Sequence, residues 1–318
     1  MPELKMQPQH LIYKKPSLIQ AIKKDYKKNK WLILMALPVV AWYILFHYVP
    51  MYGVIIAFKQ FSPIKGIWDS AWVGLRHFQD FFNSISAWRV IRNTLLINFY
   101  QLLFAFPAPI ILALLLNEIK SKYFKKTIQT VTYLPHFVST VVICGMIIDF
   151  FAKSGLINDI VAYFGGSRTI FLVEAGWFRT IYVGTGIWQG VGWGSIIYLA
   201  SLTAIDTELY EAVTIDGAGR WKQFVHITLP GIAPTIVILL IMNIGHMMSE
   251  GYEKVILLYN PSTYETADII SSFVYRRGLV EANYSFSAAV GLFNSIVNLT
   301  LIVTANYISR KVNETSLW

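Results

Sequence analysis

Six long apolar blocks govern what this chain can fold into: Trp31–Phe58, Asn93–Leu116, Val131–Phe151, Thr180–Ala204, Leu229–Tyr252 and Tyr284–Ile308. Several reach the roughly 20 residues that a helix needs to cross a hydrocarbon core. The fold class they specify is all-α, a polytopic membrane protein with six transmembrane helices. The third and fifth blocks are the weakest, being interrupted by polar residues. Only 14% of the 318 residues are charged, against about 25% in soluble domains. The segments are then a basic N-terminal piece (1–30), a six-span membrane domain (31–308) containing a charged loop (205–230), and a tail (309–318).

The net charge of +9 does not point to nucleic acid, because eight lysines fall within Met1–Lys30, directly before the first span. That is the pattern of a cytoplasmic flank attracted to the lipid bilayer surface. The basic region and the apolar run after it are both too long for a cleaved signal peptide. With the N-terminus inside, the cytoplasmic pieces hold 16 of the 27 Lys and Arg residues, and both termini are cytoplasmic. Between the first two blocks, Val73–Asn93 places Leu75, Phe78, Phe82, Ile85 and Val90 on one helical stripe. This reads as an amphipathic helix on the outer interface.

No enzyme constellation is visible. The six histidines are scattered, none pairs with Cys144 at ligand spacing, and no Gly is followed by Lys, so there is no phosphate-binding loop of the GxxxxGK[ST] type. The chain is expected to bind no cofactor or metal, and any ATP must be handled by another chain. Polar residues inside the spans are costly in hydrocarbon and mark a solute path. The candidates are Asn98, Gln101, Gln189, Asn243, His246, Glu250, Asn294 and Asn298. They are mostly neutral amides, suited to a hydroxyl-rich solute, and equally able to join helices. Gly186, Gly190 and Gly194 form a side-chain-free ridge that admits close helix packing.

The loop between the fourth and fifth blocks, "ELYEAVTIDGAGRWKQFVHITLP", is charged and broken by glycine. Thr207 is placed to cap a short helix through Val213, which Asp216-Gly217 ends. A second helix from about Ala218 puts Ala218, Trp221, Phe224, Val225 and Thr228 on one apolar face, with Arg220, Lys222 and Gln223 opposite. Such a helix–turn–helix suits a groove on a cytoplasmic partner. An autonomous secondary carrier or channel is the competing class, but only Glu250 offers a deep acidic group to drive it.

The run from Tyr210 to Pro230 closely resembles the EAA motif of permease subunits in bacterial ABC importers. Glu211, Ala212, Asp216, Gly217, Ala218, Phe224, Ile227, Leu229 and Pro230 match, while Val213 departs from the usual alanine. "WVGLRHFQDFF", "YLPHFVS" and "GYEKVILLYNPSTYETADIISSFVYRRGL" resemble the carbohydrate-uptake branch, within it the LplB type for oligosaccharides. The resemblance implies a type I importer fold and a second homologous permease, forming a heterodimer. It also implies two cytoplasmic ATPase subunits that hydrolyse ATP with Mg, and an extracytoplasmic solute-binding lipoprotein or receptor. Glu211, Ala212, Asp216, Gly217 and Ala218 would form the coupling element, with Trp221 and Phe224 packing it.

Overall fold

The structure, a computed structural model, describes residues 18–248 and 251–313 of the chain. It divides into two compact units, residues 1–55 and 56–318. In the first, the helix Leu18–Tyr43 carries Pro38 in its interior and passes into a π turn at Ile44–Tyr48. Trp31, Met35 and Phe46 are among its many exposed apolar side chains, as lipid requires of a spanning helix.

Among the described residues, four helices are long and apolar enough to cross a membrane: Lys28–Phe58, Ile85–Glu118, Arg220–His246 and Tyr284–Lys311. The pair Lys122–Phe137 and Thr140–Phe150 is long and apolar enough only when taken together, and its halves meet at 102°. The expectation of one helix over Val131–Phe151 is therefore corrected. Pro135 sits in a 3-10 turn over Leu134–Phe137, Val138 is extended, and Ser139 caps the next helix by accepting from the Val142 N–H. The fourth apolar block is the helix Ala175–Thr203, whose 29 residues extend about 43 Å. Its glycines, tryptophans and Gln189 dilute its hydropathy below that of the others.

Three of the π turns have a common cause. Ile44–Tyr48, Gln101–Ala105 and Phe224–Thr228 each precede a proline, at Pro50, Pro107 and Pro230. A proline ring collides with the carbonyl four residues back, and a wider turn relieves that collision. The Phe106 N–H accordingly reaches back five residues to the Gln101 carbonyl, at 2.9 Å.

The second unit departs from the sequence reading in three further places. It contains a two-stranded antiparallel hairpin, Lys59–Ser62 with Ser70–Trp72, pairing Lys59 with Trp72 and Gln60 with Ala71. The single amphipathic helix over Val73–Asn93 is two helices, Arg76–Phe82 and Ile85–Tyr100, parted at Asn83 and Ser84. That break rotates the register, so Phe81, Ala87 and Val90 are buried against Phe273 and Val290 while Leu75, Phe82 and Ile85 are exposed. The glycine ridge packs closely at Gly194, where an added Cβ would meet Pro109 at 3.0 Å, but not along its whole length. Nothing lies within 4 Å of a Cβ built at Gly190, whereas one at Gly192 would collide with the Thr132 and Tyr133 backbone. The end of Lys122–Tyr133 packs on a different face of the helix from the one the four-residue spacing marks.

Two apolar clusters then fix the ends of the bundle. Ile143, Ile147, Phe178, Ile181, Val255 and Leu258 are buried at the end of Ala175–Thr203 remote from the charged loop. Ile110, Ala113, Tyr198, Leu202 and Ile232 are buried at the end that carries it.

Candidate coupling site and solute path

The charged loop folds as a helix–turn–helix whose geometry follows from a few residues. Its first helix is Thr207–Ile215, and the cap is Asp206 rather than Thr207: the Asp206 carboxylate accepts from the Glu208 N–H at 2.9 Å. An aspartate there also meets the positive end of the helix. The helix ends as the sequence foretells. Gly217 adopts φ +77°, its N–H donates to the Thr214 carbonyl at 3.0 Å, and the Ala218 N–H donates to Val213 at 3.0 Å. These two bonds define a Schellman closure, which needs a left-handed residue at the position of Gly217.

The second helix starts at Arg220, with Gly219 extended before it. It is not a separate short element, because it runs through the π turn into one span, Arg220–His246. The loop is thereby rigidly continuous with a membrane helix. Gln223, assigned from sequence to the polar face, proves to be the clasp of the motif. Its Nε2 donates to Thr214 Oγ1 at 2.9 Å and to the Ala218 carbonyl at 3.2 Å, joining the two helices. Tyr210 and Thr228 hydroxyls meet at 3.0 Å and complete the inner side.

Phe224 is half-buried and Thr228 and Ile227 are buried, but Trp221 is 74% exposed and Ile215 87% exposed. The expected apolar face is therefore split: Phe224 packs inward and Trp221 stands out beside it, their rings 5.4 Å apart. Glu211, Ala212, Asp216 and Gly217 are all exposed as well. The result is a rigid knob with an outward apolar and acidic surface. Beside it lies a cavity of about 400 Å³ bounded by Glu118, Tyr210, Gln223 and Phe224.

The polar span residues are not gathered into one site. Asn294 donates to the Met248 carbonyl at 2.7 Å, and Asn298 to the Gly245 carbonyl at 2.6 Å. Both tie the last span to the one before it, and both leave a buried Oδ1 with no partner among the described residues. Asn98 is buried, Gln101 opens a π turn, Gln189 is half-buried, and Asn243 and His246 are exposed. Glu250 lies outside the described residues.

Sequence reading missed a polar cluster at the end of Ala175–Thr203 remote from the charged loop. Asp268 is fully buried. It receives Arg276 through two bonds, Nη1–Oδ1 at 3.2 Å and Nη2–Oδ2 at 2.7 Å, and Ser272 Oγ at 2.9 Å, while Arg89 stands 3.6 Å away. Burial works against the Arg276 charge, yet the hydrogen bond and charge of Asp268 outweigh it and hold the guanidinium above its ordinary range. Asn93, also fully buried, donates to the carbonyls of Glu265 at 2.9 Å and Asp268 at 3.1 Å. One clue was available: Asp268 stands in the apolar run "ADIISSFV", where a carboxylate demands a partner. Among the described residues no group of His, Cys, Asp and Glu could hold a metal ion.

A bundle of spanning helices that presents a rigid, solvent-facing knob at one end is the build of a membrane transport subunit worked from outside itself. Comparison with known proteins narrows this. Residues 95–314 match the family described as binding-protein-dependent transport system inner membrane component, and the chain belongs to that family. It is 46% identical over 293 residues to Protein LplB of Bacillus subtilis (strain 168), covering 92% of each chain. It is 44% identical to the polygalacturonan/rhamnogalacturonan transport system permease protein YteP of the same organism, over 92% of this chain and 91% of that one. Among solved structures, a bacterial alginate ABC transporter in complex with an alginate pentasaccharide-bound periplasmic protein superposes with a TM-score of 0.86. The identity there is 42%, covering 92% of this chain and 99% of the other.

Proposed function

We propose that this chain is the membrane-spanning permease of an ATP-driven importer for oligosaccharides in a bacterial cell membrane. It forms the translocation pathway with a second, non-identical permease, and both its termini are cytoplasmic. Two cytoplasmic ATPase subunits bind and hydrolyse ATP with Mg; an extracytoplasmic binding protein delivers the sugar. The chain has no ATP site of its own and acts as a mechanical element.

One observation carries this reading: the Thr207–Ile215 knob is exposed and is clasped by Gln223, across a tight turn, to the span Arg220–His246. A force applied to that knob enters the membrane domain through a hydrogen-bonded turn and the Gln223 clasp rather than through flexible loop. Two of the proteins named above support the solute class, since YteP is named for polygalacturonan and rhamnogalacturonan transport and the solved transporter for alginate.

The test is co-purification of the ATPase with the wild-type chain, Glu211→Ala and Gly217→Pro, with the partner permease present and membrane insertion checked for each. Loss of the ATPase or of coupled hydrolysis in the inserted variants supports the reading. Solute movement by this chain without any ATPase would overturn it in favour of an autonomous carrier.

A further inference from the structure

We propose that the hairpin over residues 59–72 is an interfacial anchor. Its tip, carrying Ile64, Trp68 and Trp72, enters the headgroup layer of the bilayer at the end of the spans remote from the charged loop. The partner is lipid rather than protein.

Position comes first. The hairpin starts at Lys59, the residue after the span Lys28–Phe58 ends. It is tied to the start of the last span, Tyr284–Lys311: the Phe61 N–H donates to Ser285 Oγ at 2.9 Å, and the Phe61 ring meets Tyr284 edge-on at 6.1 Å. The helix Arg76–Phe82 also holds it, with His77 Nε2 3.1 Å from the Lys59 carbonyl. Two span ends therefore set its depth at the boundary of the hydrocarbon.

Its surface is out of keeping with water. Ile64 is 97% exposed and Trp68 77%. Trp72 is exposed too, its ring stacked on Phe58 at 5.8 Å. Lys65 stands exposed beside Ile64. Tryptophan and lysine set among apolar residues is the composition of the membrane–water boundary, where a lysine reaches the headgroups while its stem stays in apolar surroundings. The first turn of the span Ile85–Glu118 repeats the tryptophan and the isoleucine, with Ile85 and Trp88 exposed.

The backbone decides between lipid and a protein partner. Lys59 Nζ donates to the carbonyls of Ile67 at 2.8 Å and Trp68 at 3.0 Å. The buried Ser70 hydroxyl donates to the Gly66 carbonyl at 2.6 Å and accepts from the Ser62 N–H at 3.1 Å. The Ser62 carbonyl takes the Lys65 N–H at 3.1 Å. The turn that presents the apolar side chains has thus satisfied the carbonyls of Ser62, Gly66, Ile67 and Trp68 from within. A poorly hydrated layer requires this, because a backbone group left open there costs free energy. A loop built to dock on protein keeps donors and acceptors free, since such interfaces carry about one hydrogen bond per 100–200 Å². An anchor here holds the start of the last span at constant depth while the other end of the bundle is worked through the charged loop.

The test uses the full chain with its partner permease in phosphatidylcholine nanodiscs, with and without the extracytoplasmic binding protein. Cys144 is replaced by Ala, and a nitroxide is attached at Ile64→Cys or, as a control on the exposed knob, at Glu208→Cys. Collision rates with oxygen, which concentrates in lipid, and with a soluble nickel chelate, which stays in water, give the depth of each label. The label at 64 is expected about 5–10 Å inside the boundary of headgroups and acyl chains, with or without the binding protein, and the label at 208 in water. Nickel access at 64 would overturn the proposal. Shielding from both reagents, in either sample, would also overturn it and assign the tip to a protein. A second measurement needs no label: lipid brominated high on its acyl chains should quench part of the wild-type tryptophan emission, and Trp68→Phe should shrink that part. An unchanged quenched fraction would sink the idea as well.

Discussion

Replacing Asp268 by Asn tests the energetics of the polar cluster with little change of shape. Asp268 is fully buried, and the Arg276 side chain that holds it is 19% exposed, with a closest approach of 2.7 Å. Removing one charge of such a pair leaves the other uncompensated in a poorly screened setting, at a cost of about 3–5 kcal/mol. The asparagine keeps a polar partner for Ser272, so the lower end, about 3 kcal/mol, is expected. The second half of the cycle is Arg276→Gln, alone and combined with Asp268→Asn. If the two act as a pair, the double variant should be more stable than the sum of singles implies by about 1.5–3 kcal/mol. The assay is unfolding in mixed detergent–SDS micelles, followed by the fluorescence of the 10 tryptophans. Additivity within about 0.5 kcal/mol would refute the reasoning, because Arg276 would then be stabilised by something other than Asp268.

Other outcomes follow from the same geometry. Gly217→Ala places a side chain at φ +77°, costing about 1–2 kcal/mol; Gly217→Asn, which tolerates that region better, should retain more ATPase in co-purification. Gly192→Val should block assembly of a monodisperse protein on size exclusion, because its side chain meets the Thr132 and Tyr133 backbone, whereas Gly190→Ala should leave the melting profile intact or raised. Gln223→Leu removes the clasp between the coupling helices and should lower coupled ATP hydrolysis more than it lowers thermal stability, for which about 1 kcal/mol is expected. Asn298→Leu, which cuts the 2.6 Å bond to Gly245, should cost about 0.6–1.7 kcal/mol of stability.

The sequence was most legible where the physics is local. Four of the spanning segments and the turn at Asp216-Gly217 rest on residues close in the chain, and the structure places them accordingly, whereas Pro230, expected to begin the fifth span, lies inside Arg220–His246 behind a π turn. Asp206 was missed as the cap because Thr207 satisfies the same rule one position later; only the backbone decides between them. The break in the third span was obscured because Pro135 can kink a helix as well as end it. Least legible was the Asp268 cluster. Its contacts with Asn93 and Arg89 join segments more than 170 residues apart, and no periodicity in one sequence reports such a meeting. The role of Gln223 was hidden for a related reason: its partner, Thr214, lies across the turn.

The backbone contact at Gly192 has a mechanical consequence. No side chain on Ala175–Thr203 sets the separation there, so no rotamer change can soften it, and the helix meets its neighbour at a hard point. That point lies 11 residues from Thr203 and 13 from Arg179, or roughly 17 Å and 20 Å along the axis. A stiff rod tilting about such a pivot moves its two ends by nearly equal amounts in opposite directions. A displacement where the charged loop begins would reach the Arg179 end of the helix almost undiminished, with its sign reversed.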